Sequence, residues 1–191
     1  LERQIGEDED ISQVRGELLA AVAYQGRDAR VMDFARDAAR RYLADSSSVD
    51  PGIVDAVLGL AARQGDAALF AEYQHRFETT RVPLLRGRYL RAMGGFEDPA
   101  LEARALDYTL SDAVLPTESM GLLRGYGGKN EAAGQRLFQW MMTNYDRIAR
   151  RIPPPALRFL PMMGSGCSEE RLAATRAFFG DPARGIPGVD K

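Results

Sequence analysis

The stretch TESMGLLRGYGGKNEAAGQRLFQWMMTNYDRIARRI, Thr117 to Ile152, predicts two helices joined by a glycine-rich turn. Asn130 suits an N-cap, since its side chain can accept a hydrogen bond from a backbone N–H that has no intrahelical partner. Glu131 then complements the positive end of the helix dipole. From there Ala133, Leu137, Trp140, Met141, Tyr145, Ile148 and Ile152 recur three or four residues apart. Gln135, Gln139, Thr143, Asp146, Arg147 and Arg150 fall mostly on the other side. One face is core and the other is wet. Arg147, Arg150 and Arg151 suit the negative end of the dipole, and Pro153-Pro154-Pro155 cannot continue the ladder, so one helix is expected to run to Ile152.

The other segments repeat this plan. Ile11, Val14, Leu18, Leu19, Val22 and Ala23 are spaced as one helical face, closed by Gly26. Asp28 can cap a helix whose stripe is Val31, Phe34, Ala35, Ala38, Tyr42 and Leu43. Asp50-Pro51 sets a capping side chain before a proline suited to the first helical position, leading into Ile53, Val54, Val57, Leu58 and Ala61. Gly65 ends that helix, and Asp66 caps the next, with Leu69, Phe70, Tyr73 and Phe77 inward. A third pair spans Val82 to Met93 and Asp98 to Ser111, the latter facing inward through Leu101, Ala105 and Tyr108. After the pair around Trp140 comes a shorter one, Ala156 to Met163 and then a helix capped by Ser168, with Leu172, Thr175 and Phe179 facing inward. Residues 181–191 read as a loose tail.

The inter-helix glycines Gly26, Gly65, Gly95 and Gly128 lie 39, 30 and 33 residues apart. Helix pairs recurring at such a period, each too small to bury its own apolar face, are the mark of a helical solenoid in which neighbours supply the core. The expected fold is therefore all-α, a right-handed superhelix of HEAT- or armadillo-like pairs, with residues 1–180 forming one domain of about five pairs. An irregular all-α domain without a true repeat is the alternative.

With 191 residues, 45% hydrophobic and 27% charged, the chain has the composition of an ordinary globular protein. Its 25 basic and 27 acidic residues leave a net charge of −2, and no overall positive field favours nucleic acid or a membrane surface. Cys167 is the sole cysteine, so no intramolecular disulfide and no thiolate metal cluster can form within the chain. No apolar run reaches the 18 residues that suggest a membrane span, and Leu1 to Asp10 is acidic where a signal peptide is basic and then apolar. A cytoplasmic location is expected. The sequence starts without methionine, which suggests a piece of a longer polypeptide.

Several segments taken together resemble a known family. They are Val49-Asp50-Pro51, Gly59-Leu60-Ala61 before Gly65-Asp66, the run from Tyr89 to Leu101 (YLRAMGGFEDPAL), and Ala105 to Asp112 (ALDYTLSD). Phe138-Gln139-Trp140 with Asn144-Tyr145 follows, and then Cys167-Ser168-Glu169-Glu170 leading to Phe178-Phe179. In order and spacing they resemble the C-terminal helical domain of the M1 zinc aminopeptidases, with the puromycin-sensitive branch the nearest likeness. The resemblance implies a bowl of helix pairs that closes over a separate catalytic domain and forms part of its peptide chamber. It also implies the partners: an upstream catalytic domain of the same polypeptide and a peptide substrate, with neither nucleic acid nor membrane.

In that family zinc is held by His-Glu-x-x-His and a downstream glutamate, a spacing that puts two imidazoles on one helix face beside a general base. With His75 as its one histidine, the chain cannot supply the pair, so zinc and catalysis are expected upstream and none in this chain. The remaining expectation is a substrate-enclosing and regulatory role. A free-standing helical scaffold that binds a protein partner on its concave face is the alternative.

The individual candidates divide accordingly. His75 is expected on the solvent face, about 200 degrees round the helix from Phe77. Cys167 precedes a capping serine, a position that can lower a thiol pKa, but no histidine lies nearby in sequence to activate it. Glu169 and Glu170 point about 100 degrees apart on a helix and suit its dipole better than acid/base work. Gly125-Tyr126-Gly127-Gly128-Lys129 lacks the Gly-x-x-x-x-Gly-Lys-Ser/Thr spacing of a phosphate loop. The resemblance instead makes Lys129 and Asn130 candidate substrate-binding residues, because the family's equivalent turn often bears a basic residue that can meet a peptide's C-terminal carboxylate. A solvated turn is the competing reading. Arg81, Arg86, Arg88 and Arg91 form a local basic cluster that either lines the concave face or pairs with acidic neighbours.

Overall fold

The computed structural model describes residues 1, 3, 6–124, 126, 130–166, 168–184 and 186. Every regular element among them is helical. In chain order the α-helices are α1 (Glu9–Tyr24), α2 (Ala29–Ala44), α3 (Val54–Arg63), α4 (Ala67–Thr79), α5 (Pro83–Met93) and α6 (Pro99–Thr109). They continue as α7 (Ser119–Arg124), α8 (Glu131–Thr143), α9 (Tyr145–Arg151) and α10 (Glu169–Phe179), with 3-10 segments at Pro154–Gly164 and Pro182–Arg184. The fold class is all-α. The chain divides into two compact units, Leu1–Ala105 with Gly121–Gly128, and Leu106–Met120 with Lys129–Lys191.

In the first unit the caps fall largely where the sequence put them. Asp28 Oδ1 accepts from the backbone N–H of Arg30 (2.8 Å) and Val31 (3.3 Å), Asp66 Oδ1 from Leu69 (2.9 Å), and Asp98 Oδ1 from Ala100 and Leu101 (2.9 and 3.0 Å). Asp50 behaves differently. Its Oδ1 accepts from Gly52 N–H at 2.8 Å, which closes a tight turn, so α3 begins at Val54 and not at Pro51.

Helices α1, α3 and α5 pack in series, with α2 against α3 and α4 against α5, the two-layer arrangement of a helical repeat. Between them lie Val57, Leu58, Phe70, Tyr73, Phe77, Leu90, Met93 and Phe96, all fully enclosed. The rings of Phe70 and Phe96 sit 5.2 Å apart and those of Tyr73 and Phe96 6.0 Å apart. Each such side chain contributes on the order of 1.5–3 kcal/mol by leaving water. Gly65 is needed for this packing, since a Cβ there would stand 2.6 Å from the Phe96 ring.

A second expectation also fails in this unit. The apolar stripe of α1 does not form a core face: only Leu19 and Ala23 are buried, while Ile11, Val14, Leu18 and Val22 are exposed.

The second unit departs further from the sequence pattern. The helix expected from Asn130 to Ile152 breaks at Asn144 into α8 and α9. There the Asn144 side-chain amide and its backbone N–H both donate to Trp140 O at 2.9 Å, a side-chain competition that disturbs the ladder. The segment after the prolines is a 3-10 helix, with Pro161 inside it, in place of an α-helix. On α10 the inward position belongs to Arg171 and not to Leu172, which is exposed. Ile186, within the stretch expected to be loose, is buried beside Tyr145, Ile148, Leu160 and Phe179; residues 187–191 lie outside the described residues.

Candidate functional site

The start of α8 is built by the cap the sequence predicts. Asn130 is exposed, with an extended backbone, and its Oδ1 accepts from Ala133 N–H at 2.9 Å. Lys129 and the glycines at 125, 127 and 128 lie outside the described residues, so of the two candidate substrate-binding residues only Asn130 has a described position.

What holds this end of α8 was not foreseen. The buried guanidinium of Arg171 donates to Gln135 Oε1 (2.9 Å), Ser165 O (3.0 Å) and Glu131 O (3.3 Å), and it pairs with the Glu131 carboxylate at 2.6 Å. A planar fork with five donors can satisfy four acceptors at once, and an ammonium cannot. The sequence signal for it is faint: Arg171 occupies the position beside an apolar residue, and nothing in the 3.6-residue period selects the arginine over Leu172.

The basic cluster resolves into structural contacts. Arg86 Nη1 donates to Phe77 O at 3.0 Å, and the guanidinium lies 4.1 Å from the Phe77 ring centroid. Arg88 Nε donates to Asp55 Oδ1 (2.6 Å) and its Nη1 to the Tyr42 hydroxyl (3.0 Å), while Arg91 Nη1 donates to Asp55 Oδ2 (3.1 Å). Burial opposes the charge of Arg88, but its bonds to Asp55 and Tyr42 outweigh that and raise its pKa above the ordinary value. Arg81 is exposed. Tyr24, Asp55, Arg88 and Arg91 share a cleft of about 130 Å³. Burial pushes the Tyr24 phenol pKa up against the lowering effect of Arg63, whose guanidinium sits 4.0 Å from the ring centroid.

These partners do carry a sequence signal. Asp55 and Arg88 are 33 residues apart, Arg63 pairs with Glu97 at a separation of 34, and Trp140 Nε1–H donates to Asp107 Oδ1 (3.0 Å) across 33. Each pair is about one repeat apart. Looking for complementary side chains at the glycine period, and not only within one helix, would have found them.

His75 is exposed, and so are Glu169 and Glu170 in the first turn of α10; Cys167 lies outside the described residues. Among the described residues no three His, Cys, Asp or Glu side chains come together in a way that could hold a metal ion, so the residues present do not fit a zinc centre. Among them, too, no helix is long and apolar enough to cross a membrane.

Comparison with known proteins gives a consistent family. A family model described as the ERAP1-like C-terminal domain matches residues 2–190. Alanine/arginine aminopeptidase of Saccharomyces cerevisiae is 27% identical over 157 residues, which are 78% of this chain and 18% of the relative. The mitochondrial aminopeptidase 2 of the same yeast is 26% identical over 147 residues, 75% of this chain and 15% of the relative. Aminopeptidase 2 of Candida albicans is 21% identical over 154 residues, 80% and 16% respectively. The chain thus spans less than a fifth of the length of these curated relatives.

Proposed function

Because the chain belongs to the family of ERAP1-like C-terminal domains, we propose that it is the substrate-enclosing and regulatory domain of a zinc aminopeptidase that removes N-terminal residues from peptides. The observation behind this reading is the extent of the match: residues 2–190 fall within one family model, and the aligned relatives bear the name aminopeptidase. The chain has neither His-Glu-x-x-His nor a second histidine, so zinc and its general base belong to an upstream catalytic domain of the same polypeptide. This chain alone performs no peptide hydrolysis. Its partners are that catalytic domain and the peptide, with no nucleic acid and no membrane, and the setting is cytoplasmic.

Within this reading Lys129 and Asn130 receive the peptide's C-terminal carboxylate. A lysine beside the positive end of α8 supplies a charge-assisted hydrogen bond where the dipole already favours an anion. The Asn130 cap orders the first turn of α8 next to it.

The test is a calorimetric or NMR titration with a ten-residue peptide whose C-terminus is either free or amidated, on the native chain and on Lys129→Glu. Preferential binding of the free acid, lost in the variant, is the expected result. Equal binding of both peptides, or none, with no effect of the substitution, removes Lys129 and Asn130 from the site and favours a passive wall or a protein-binding scaffold. Separately, aminoacyl arylamides with added zinc are expected to show no turnover by the chain alone. Zinc-dependent turnover would overturn the division of labour.

A further inference from the structure

In the second unit, α9 and the 3-10 turn Pro182–Arg184 form the walls of an open cleft of about 430 Å³. Tyr145, Asp146, Ala149 and Arg150 line it from α9, and Asp181, Ala183 and Arg184 from the turn. Arg184 is held in a fixed plane, its guanidinium 3.4 Å from the centroid of the Phe178 ring and 5.1 Å from that of Tyr145. Its Nε is sealed from solvent without an acceptor, and among the described residues the rest of the group donates to none. Arg150 likewise has no acceptor among them. Asp181 Oδ1 accepts from Ala183 N–H at 2.9 Å. None of these four charged side chains forms an ion pair among the described residues, although Asp146 and Arg150 stand four residues apart on one helix. Unpaired surface charges are ordinary, but a stacked, partly desolvated guanidinium beside the buried Tyr145 ring is a prepared contact.

We propose that this cleft binds the zwitterion of a small aliphatic α-amino acid. Two charges of each sign leave the cleft near neutral, so neither a lone anion nor a lone cation meets a net attractive field there. A ligand that carries a carboxylate and an ammonium on one carbon satisfies both signs at once. The carboxylate goes to Arg184, whose planar fork is already oriented by Phe178, with Arg150 beside it. A guanidinium ordered before binding loses little rotamer freedom when the acceptor arrives. The ammonium goes to Asp146, since one oxygen of Asp181 is committed to the turn. The ligand's side chain then rests on the Tyr145 ring and the methyl groups of Ala149 and Ala183, a surface that suits leucine better than a charged residue. Under the aminopeptidase reading such a ligand is the released residue, and the binding itself does not require that reading.

The test is an NMR titration of the 191-residue chain with L-leucine in the millimolar range, followed at the resonances of α9 and of the Tyr145 ring. Isocaproate, which lacks the ammonium, and isoamylamine, which lacks the carboxylate, are the controls. Each is expected to bind about tenfold or more weakly than leucine. Asp146→Asn is expected to bring leucine down to the affinity of isocaproate and to leave isocaproate itself unchanged. Arg184→Gln is expected to bring leucine down to the affinity of isoamylamine. Arg150→Gln, at an exposed position, repeats the test on the carboxylate side without touching the aromatic stack, and circular dichroism melting verifies that each variant is folded.

An absence of shifts with leucine overturns the proposal. Isocaproate binding as tightly as leucine, or leucine binding that survives Asp146→Asn, overturns it in favour of a plain anion site. Shifts that map away from α9 and survive all three substitutions overturn it in favour of a different location. Each of these failures leaves the aminopeptidase reading untouched, because neither zinc nor a catalytic domain enters the experiment.

Discussion

The two compact units each bury an apolar core and differ in how regular the helices around it are. In the first, helices of 10–16 residues bury a continuous aromatic and aliphatic core, and Phe70, Tyr73, Phe77 and Phe96 are sealed from solvent. The second also has an apolar core, around Phe138, Met141, Tyr145 and Phe179, but one of its helices is broken at Asn144 and one segment is 3-10, and arginines bind backbone carbonyls there as Arg86 binds Phe77 O in the first. Arg171 reaches Ser165 O and Glu131 O, and Arg151 reaches Ser111 O and Val114 O. Where apolar periodicity is regular it suffices to fix the packing. In the second unit those carbonyls belong to residues in connecting segments or in the first turn of α8, where a guanidinium adds a donor.

The largest expected effect tests the first half of that contrast. Phe70→Ala removes a ring that lies against Phe96, and it is expected to lower stability by about 3–5 kcal/mol in urea unfolding followed by circular dichroism. A loss well under this range would mean that the aromatic cluster collapses around the gap and is not a tight core. Alkaline titration probes the same cluster. Burial, with a smaller contribution from Tyr89, raises the Tyr73 pKa far above its ordinary 10.0, and its hydroxyl donates to Leu58 O at 3.1 Å. A raised folded pKa means that this contribution is complete below pH 10 and is lost as pH rises beyond it, because the unfolded phenol ionises first. Tyr73→Phe should flatten the loss of stability above pH 10.

The second half is tested at Arg171. Arg171→Met removes the guanidinium's donors from Ser165 O, Glu131 O and Gln135 Oε1, and it is expected to cost about 2–3 kcal/mol. Trp140 is the only tryptophan and lies on α8, so its fluorescence reports the unfolding of this unit directly. Arg171→Lys keeps the charge but not the fork, and should recover less than half of the loss. If Met is tolerated without cost, the polar clamp is dispensable and the two units are stabilised alike.

How much of this was legible in the sequence follows the same division. The first unit's helices and most of its caps follow from period and capping residues, since Asp28, Asp66 and Asp98 each do what a short acidic side chain does before an apolar run. The exposed seam of α1 did not, because periodicity says that residues share a face and not that anything covers it. In the second unit the break at Asn144 and the buried Arg171 depend on competition for individual carbonyls, which hydrophobic spacing does not encode. For the candidate site, Asn130 as a cap was readable, whereas the role given to Lys129 and Asn130 in binding came from family resemblance and not from spacing.

The smallest predicted effect sharpens the comparison by asking the same question of both units. Asp66 opens α4 and Asn130 opens α8, and each side chain accepts from the backbone N–H three residues on at 2.9 Å. Replacing either by alanine strips one acceptor from a helix start, which costs about 1 kcal/mol, with Asp66 a few tenths more because its charge also meets the dipole. The surroundings differ. At Asp66 the cap is the one side-chain acceptor identified at the start of α4, whereas α8 is also gripped by Arg171 through Glu131 and Gln135. If the clamp governs the start of α8, Asn130→Ala will shift the Trp140 unfolding midpoint by less than Asp66→Ala shifts that of circular dichroism. It will cost the full amount only when combined with Arg171→Met. Equal losses from the two single substitutions, adding independently to Arg171→Met, would show that cap and clamp act separately.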